Sequence, residues 1–180
     1  MRWLFNLMVV SLLFFPGKDF YETPANYGLK PDEVFLTTSD RLRLHGWFFQ
    51  APQNKAALLL FHGNAGNISG RLFKVPGWLE RGISVFLVDY RGYGRSEGKI
   101  KRGEDLLEDA RSALRWLNEE KSIPAQKIIL YGESLGAYPA IGLAGSQKFA
   151  GLILESPFSS VLEVARVHYG RWIPEILVKV

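Results

Sequence analysis

A serine between two glycines follows an apolar run in the second half of the chain. Gly132, Ser134 and Gly136 belong to the pentapeptide Gly-Glu-Ser-Leu-Gly, and residues 127–131 before it have the composition of a buried strand. Between a strand and a helix this pentapeptide forms a tight turn, in which the glycines allow close approach and the serine hydroxyl is exposed. The pattern predicts that Ser134 is the nucleophile of an acyl-transfer reaction, as in a serine hydrolase.

A second loop carries small residues after another apolar run. Residues 56–61 have the pattern of a buried strand, and the sequence His-Gly-Asn-Ala-Gly-Asn follows them. An oxyanion hole requires one N–H from the residue after the nucleophile, here Leu135, and one from a loop that follows an earlier strand. Asn64 is the predicted source of the second N–H, and Gly63 lets the backbone approach.

Four segments, in this order along the chain, resemble the α/β-hydrolase superfamily. They are the loop at Asn64, residues 89–98 (DYRGYGRSEG), the pentapeptide around Ser134 and residues 154–158 (LESPF). Together they are most similar to a membrane-anchored branch with serine-aminopeptidase-like and esterase-like members. The resemblance runs from about Phe14 to the C-terminus, and it implies a catalytic order of serine, acid and histidine.

Two further polar residues lie at the ends of predicted strands. His62 is followed by a glycine, and a histidine in this position usually bonds to its own loop, so we expect a structural role. Residues 89–98 lack the Gly-Lys-Ser/Thr order of a phosphate-binding loop. We expect Asp89 to pair with Arg91 or Arg95 and hold this loop. The alternative of Asp89 as the triad acid is disfavoured, because the acid follows the serine in the superfamily.

The triad base and acid have weak candidates in this sequence. His168 is the sole histidine after Ser134, and it falls in a predicted helix, Ser159 to His168. Glu155 is an alternative acid, although a bridge to the turn at residues 156–158 is the favoured interpretation. The family places both groups after two further strands. We therefore expect a truncated chain that lacks those strands, the acid and the histidine, and that is inactive as it stands.

The order of elements predicts an α/β fold, a mostly parallel sheet with helices on both faces and with an N-terminal β-hairpin. The hairpin strands are predicted near Val34 to Thr38 and Leu42 to Phe49. The clearest helix runs from Glu104 to Glu119, where apolar residues recur at helical spacing. The predicted parallel strands are Ala56 to Phe61, Val85 to Asp89, Lys127 to Tyr131 and Gly151 to Leu154.

The chain opens with an apolar run, Trp3 to Phe15, that is too short to span a bilayer. Three interpretations stay open: a shortened membrane anchor, an interfacial segment, and an element packed on the domain. The family resemblance favours the anchor. We divide the chain into a hydrophobic segment, residues 1–16, and a partial α/β-hydrolase domain, residues 17–180. The expected location is membrane-associated, with a cytoplasmic location as the alternative.

Composition restricts the chemistry further. The chain has no cysteine, which excludes disulfides and thiol catalysis, and its three histidines lack metal-binding spacing, so we expect no metal and no cofactor. The net charge of +4 is dispersed, without the basic stripe of a nucleic-acid-binding protein. The expected partner is a small-molecule or lipid-like acyl substrate. The alternative function is a non-catalytic binding domain with the same fold.

Overall fold

A six-stranded sheet forms the centre of the molecule in the computed structural model, which describes residues 14–158. Its strands are β2 (Asp32–Thr37), β3 (Arg43–Phe49), β4 (Ala56–Phe61), β6 (Ile83–Val88), β7 (Ile128–Glu133) and β8 (Gly151–Glu155). They lie in the order β2-β3-β6-β4-β7-β8. β3 is antiparallel to both of its neighbours, whereas β6, β4, β7 and β8 are parallel to one another.

A short second sheet joins the N-terminal side of the described region to the loop after β4. It pairs β1 (Phe15–Pro16) with β5 (Ala65–Gly66) in parallel. Three α-helices connect the strands of the main sheet: α1 (Val75–Glu80), α2 (Gly103–Glu119) and α3 (Ala137–Ala144). A 3-10 helix, Ile68–Lys74, leads directly into α1, and a single 3-10 turn, Ser134–Gly136, leads into α3.

Successive residues of the central strands point to opposite faces of the sheet, and because nearly all of them are apolar, a hydrophobic core forms on each face. In β4, Leu59 and Phe61 point to one face, while Leu58 and Leu60 point to the other. The first face packs against α2 and α3, and the second against residues 68–80. Burial on both faces explains why the parallel strands are continuous apolar runs.

The main features of the predicted fold are confirmed, including the hairpin, the parallel sheet and the helices on both faces. The predicted boundaries differ from those of the structure by one or two residues, as for the helix predicted from Glu104, which begins at Gly103. Asp105 stabilises this start, because its Oδ2 accepts N–H bonds from Lys101 at 2.7 Å and Arg102 at 3.2 Å. The predicted helix at Ser159 to His168 lies outside the described residues.

Topology brings the predicted site residues to one edge of the sheet. The carboxyl ends of β4, β6 and β7 precede Asn64, Asp89 and Ser134, and in open parallel sheets ligands bind at this edge. Most of the N-terminal apolar run lies outside the described residues. Within residues 14–158, every helix is too short or too polar to cross a membrane.

Candidate active site

The turn after β7 places Ser134 in a strained backbone conformation. Its φ is 49°, in the left-handed region that side chains other than glycine rarely adopt. The neighbouring glycines are required by space. A Cβ at Gly132 would lie 2.5 Å from the carbonyl oxygen of Gly136, and a Cβ at Gly136 would lie 2.0 Å from the carbonyl oxygen of Phe61. The helix therefore approaches β7 and β4 so closely that any side chain at either position would collide with the backbone.

The loop after β4 is held from several directions. The Oδ1 atom of Asn64 accepts hydrogen bonds from the hydroxyl of Tyr93 at 3.0 Å and from the backbone N–H of Phe15 at 3.2 Å. Asn67 caps the following 3-10 helix, with its Oδ1 accepting from the N–H of Ser69 at 3.0 Å. These bonds fix the backbone at the edge of the sheet, beside the turn that carries Ser134.

A side chain at Gly63 would displace the side chains of Glu133 and Arg71. A Cβ there would lie 2.8 Å from Oε1 of Glu133 and 3.2 Å from Nη2 of Arg71. The loop after β4 thus lies directly on an ion pair whose carboxylate belongs to the residue before Ser134. Arg71 lies outside the four sequence segments that resemble the α/β-hydrolase superfamily, so the sequence did not indicate its place beside the candidate site.

Asp89 lies between two histidines, so the prediction that it pairs with Arg91 or Arg95 is wrong. Its Oδ1 lies 3.4 Å from Nε2 of His62 and its Oδ2 lies 3.5 Å from Nδ1 of His45, and all three side chains are fully buried. Asp89 also accepts the N–H of Ile68 at 2.9 Å. Burial raises the pKa of Asp89, but the two imidazoles and this N–H outweigh it, and the pKa is lower than usual.

The two arginines have other partners. Arg91 binds Asp109 of α2 through its backbone N–H and its guanidinium, at 2.7–2.9 Å, and Asp40 of the hairpin turn at 2.8 Å. Arg95 pairs with Glu33 on the surface. The physical reason is direction. Asp89 directly follows β6 and its side chain is buried, whereas the side chains of Arg91 and Arg95 reach Asp109 and Glu33.

His62 contacts its own loop, as its sequence position indicated. Its Nδ1 donates to the carbonyl oxygen of Gly63 at 2.7 Å, and the hydroxyl of Tyr90 donates to the carbonyl oxygen of His62 at 2.8 Å. His45 and His62 are the histidines of the described residues, and both are buried with Asp89. His168 lies outside the described residues.

Glu155 pairs with residues on neighbouring elements rather than bridging the turn that follows it, so that interpretation is corrected. Its Oε2 accepts from Nζ of Lys74 at 2.5 Å and from the hydroxyl of Tyr131. These two donors lower the pKa of Glu155. The reason is again strand geometry, because Glu155 and Tyr131 extend from the face of the sheet against which the helical segment with Lys74 packs.

Comparison with known proteins identifies the family. The model of the family described as serine aminopeptidase, S33, matches residues 52–180. The chain belongs to this family. Among the relatives of this S33 family member, an uncharacterized protein of Mycobacterium tuberculosis is 38% identical over 165 residues, covering 91% of this chain and 58% of that protein. The α/β-hydrolase domain-containing protein WAV2 of Arabidopsis thaliana is 36% identical, covering 90% of this chain and 54% of its own length.

Solved structures share the same α/β-hydrolase fold. An α/β hydrolase from Vibrio vulnificus aligns with a TM-score of 0.74 and 24% identity, over 98% of this chain and 64% of that one. The esterase Pf2001 of Pyrococcus furiosus aligns with a TM-score of 0.72 and 22% identity, over 92% and 64%. The S33-family chain thus spans less than two thirds of the length of these relatives and structures.

Proposed function

We propose that this protein is a serine hydrolase that cleaves an ester, thioester or amide through an acyl-enzyme intermediate, with Ser134 as the nucleophile. The observation that carries the proposal is the left-handed backbone of Ser134 at 49°, between glycines that backbone contacts keep free of side chains. Such strain is frequent at active sites, and here it coincides with a helix that packs directly against the turn. Membership in a hydrolase family supports the same conclusion.

In this mechanism the Oγ atom of Ser134 attacks the substrate carbonyl carbon while a base accepts its proton. The backbone N–H groups of Leu135 and Asn64 donate to the oxyanion that forms on the carbonyl oxygen. As this intermediate collapses, the base returns the proton to the leaving group, which departs. Water then attacks the acyl-serine, with its proton passing through the same base back to Oγ of Ser134, and the acid product is released. We assign the histidine base and its acid to residues outside 14–158, because His45 and His62 are both buried against Asp89.

The substrate in this proposal is a small-molecule or lipid-like acyl compound. The apolar segment within residues 1–16 would associate the protein with a membrane and bring the site close to such substrates. The support for this part is the sequence of that segment.

A fluorophosphonate probe tests the nucleophile directly, since it phosphonylates an activated serine. We would use protein expressed from the complete gene and locate the adduct by peptide mass spectrometry. Labelling at Ser134 is expected, with complete loss in Ser134→Ala. Ser156→Ala is the matched control, because Ser156 has the same backbone angle, 48°, at the end of the neighbouring strand. A folded protein that the probe leaves unmodified at Ser134 would refute the proposal.

A further inference from the structure

Arg71 connects the two halves of the proposed oxyanion hole. It lies in the 3-10 helix after the Asn64 loop, and its side chain is 13% exposed. Its Nη2 donates to Oε1 of Glu133 at 2.8 Å and its Nε to Oε2 at 3.4 Å, a two-point arrangement that fits the shape of a guanidinium. Glu133 directly precedes Ser134. One side of Arg71 therefore binds the turn that carries the nucleophile.

The remaining nitrogen of the same guanidinium binds the opposite loop. Nη1 donates to the carbonyl oxygen of Ala65 at 2.9 Å and, more weakly, to that of Asn67 at 3.4 Å. Ala65 directly follows Asn64, the proposed second donor to the oxyanion. A single planar group thus binds the residue after Asn64 and the residue before Ser134, and its rigidity limits how far the loop and the turn can move apart.

Charge gives Arg71 a second role. The carboxylate of Glu133 is 21% exposed, and it belongs to the residue directly before the proposed nucleophile. An unpaired anion there would repel the oxyanion, and partial burial would strengthen the repulsion. Arg71 neutralises it at hydrogen-bond distance, while Lys74 lies 3.8 Å from Oε2 and contributes less.

We propose that Arg71 is a positioning residue that sets the separation of the two oxyanion donors and neutralises Glu133 during acyl transfer. This inference rests on the function proposed above. It predicts an effect on the transition state rather than on substrate binding, because Nε, Nη1 and Nη2 of Arg71 each already donate to an oxygen of Glu133, Ala65 or Asn67. Loss of the guanidinium should therefore lower kcat and leave KM unchanged.

The experiment compares hydrolysis of p-nitrophenyl butyrate and the rate of fluorophosphonate labelling in protein from the complete gene. Arg71→Gln is expected to lower kcat and the labelling rate by about 10- to 100-fold, as for a small misplacement of reacting groups. Arg71→Lys keeps the positive charge but lacks the planar guanidinium that binds both loops, so its kcat should fall between those of the wild type and Arg71→Gln. Arg115→Gln removes a half-exposed arginine of α2 and should retain full activity.

A double variant separates the two roles. In Arg71→Gln with Glu133→Gln the repelling charge is absent, so part of the lost kcat should return, although the loop is still unanchored. Near-UV circular dichroism reports whether each variant is folded, and Arg71→Lys decides the question if Arg71→Gln does not fold. A kcat for Arg71→Lys equal to that of wild type, or a rise in KM alone, would overturn the proposal. Wild-type protein that is not labelled at Ser134 would instead refute the hydrolase function itself.

Discussion

Positive backbone angles occur at five non-glycine residues of the described region, so strain alone does not identify a nucleophile. Ser134 and Ser156 have almost the same φ and follow glutamates that are paired in register on β7 and β8. The difference lies in what comes next. Ser134 is followed by a helix that packs against β4 through Gly136, whereas Ser156 is exposed and followed by Pro157. The close helix makes the turn after β7 a candidate site.

Gly136→Ala should disrupt the site because its Cβ would lie 2.0 Å from a backbone oxygen that cannot move aside. We expect a loss of about 3 kcal/mol in the free energy of unfolding and loss of fluorophosphonate labelling. Gly145→Ala is the control, since Gly145 has helical angles and a Cβ there would make only ordinary contacts at 3.8 Å. Urea unfolding measures both variants. Equal stability of the two would contradict this interpretation of the glycines.

Asp89→Asn tests the buried cluster with His45 and His62. The variant keeps the shape but removes the charge, so the free energy of unfolding at pH 7 should fall by about 1–3 kcal/mol, the cost of weakening a buried charged acceptor. Because the folded-state pKa of Asp89 is below its ordinary value of 3.8, the stabilisation is present above pH 3.8 and is lost as pH falls through the folded-state pKa.

The measurement for Asp89→Asn is urea unfolding at pH 7, 5 and 3, in parallel with wild type. The difference between the two proteins should stay constant from pH 7 to 5 and narrow at pH 3. Asp32→Asn, on an exposed pair with Lys121, is the control and should change stability little at any of these pH values. If wild type and Asp89→Asn differed in unfolding free energy by as much at pH 3 as at pH 7, the charge of Asp89 would not be the cause of the lost stability.

At the scale of elements, hydrophobic periodicity predicted the strands and the long helix because it reports burial directly. It missed the β1–β5 pair and the 3-10 helix that carries Arg71. A two-residue ladder contains no period, and residues 68–74 mix charged and apolar side chains. The partners of Asp89, Arg91 and Glu155 were also missed. Each depends on contacts between chain segments that are distant in sequence, such as Glu155 with Lys74 and Arg91 with Asp109.

The ion pair between Arg91 and Asp109 should stabilise the connection of the loop after β6 to α2. Both side chains are at most 5% exposed. Removing Arg91 leaves a buried carboxylate without its guanidinium, and removing the charge of Asp109 leaves Arg91 with only the more distant or more exposed Asp105 and Asp40. Asp109→Asn and Arg91→Met should each lower the free energy of unfolding by about 3 kcal/mol. The double variant should lose at least about 1 kcal/mol less than the sum of the two single losses.

Arg95→Met is the matched control, because Arg95 belongs to the same loop but its pair with Glu33 is about half exposed. Its effect on the free energy of unfolding should stay below about 1 kcal/mol. Thermal or urea unfolding would be measured for wild type, Arg91→Met, Asp109→Asn and their double variant, which form the cycle, and for Arg95→Met. Additive losses for Arg91 and Asp109 would mean that their contact contributes no coupling.

At the scale of the molecule, the two sides of the candidate site come from chain segments far apart in sequence. β4 supplies the loop with Asn64 and β7 supplies the turn with Ser134, and the two strands are neighbours in the sheet. The sequence motifs predicted this meeting, because parallel strands carry their following loops to one edge. They did not predict that the residues around Phe15 would join the Asn64 loop, since no motif marks that contact.

Removal of residues 1–18 should therefore weaken the site more than removal of residues 1–13. The longer deletion eliminates the bond from the N–H of Phe15 to Asn64, that from the N–H of Gly17 to the carbonyl oxygen of Gly66 at 2.9 Å, and that from Gly94 to the carbonyl oxygen of Gly17 at 2.9 Å. Each bond contributes about 1 kcal/mol, so we expect a loss of about 2–4 kcal/mol in unfolding free energy. Fluorophosphonate labelling should also become slower, because the Asn64 loop loses its outer support.

The deletion of residues 1–13 is the matched control, since it retains all three of these bonds. Both deletions would be made in protein expressed from the complete gene and compared by urea unfolding and by labelling rate at Ser134. The comparison also tests the division of the chain at residues 16 and 17, because residues 14–16 already contact the folded domain. Equal stability and equal labelling rates in the two deletions would show that the β1–β5 pair does not support the Asn64 loop.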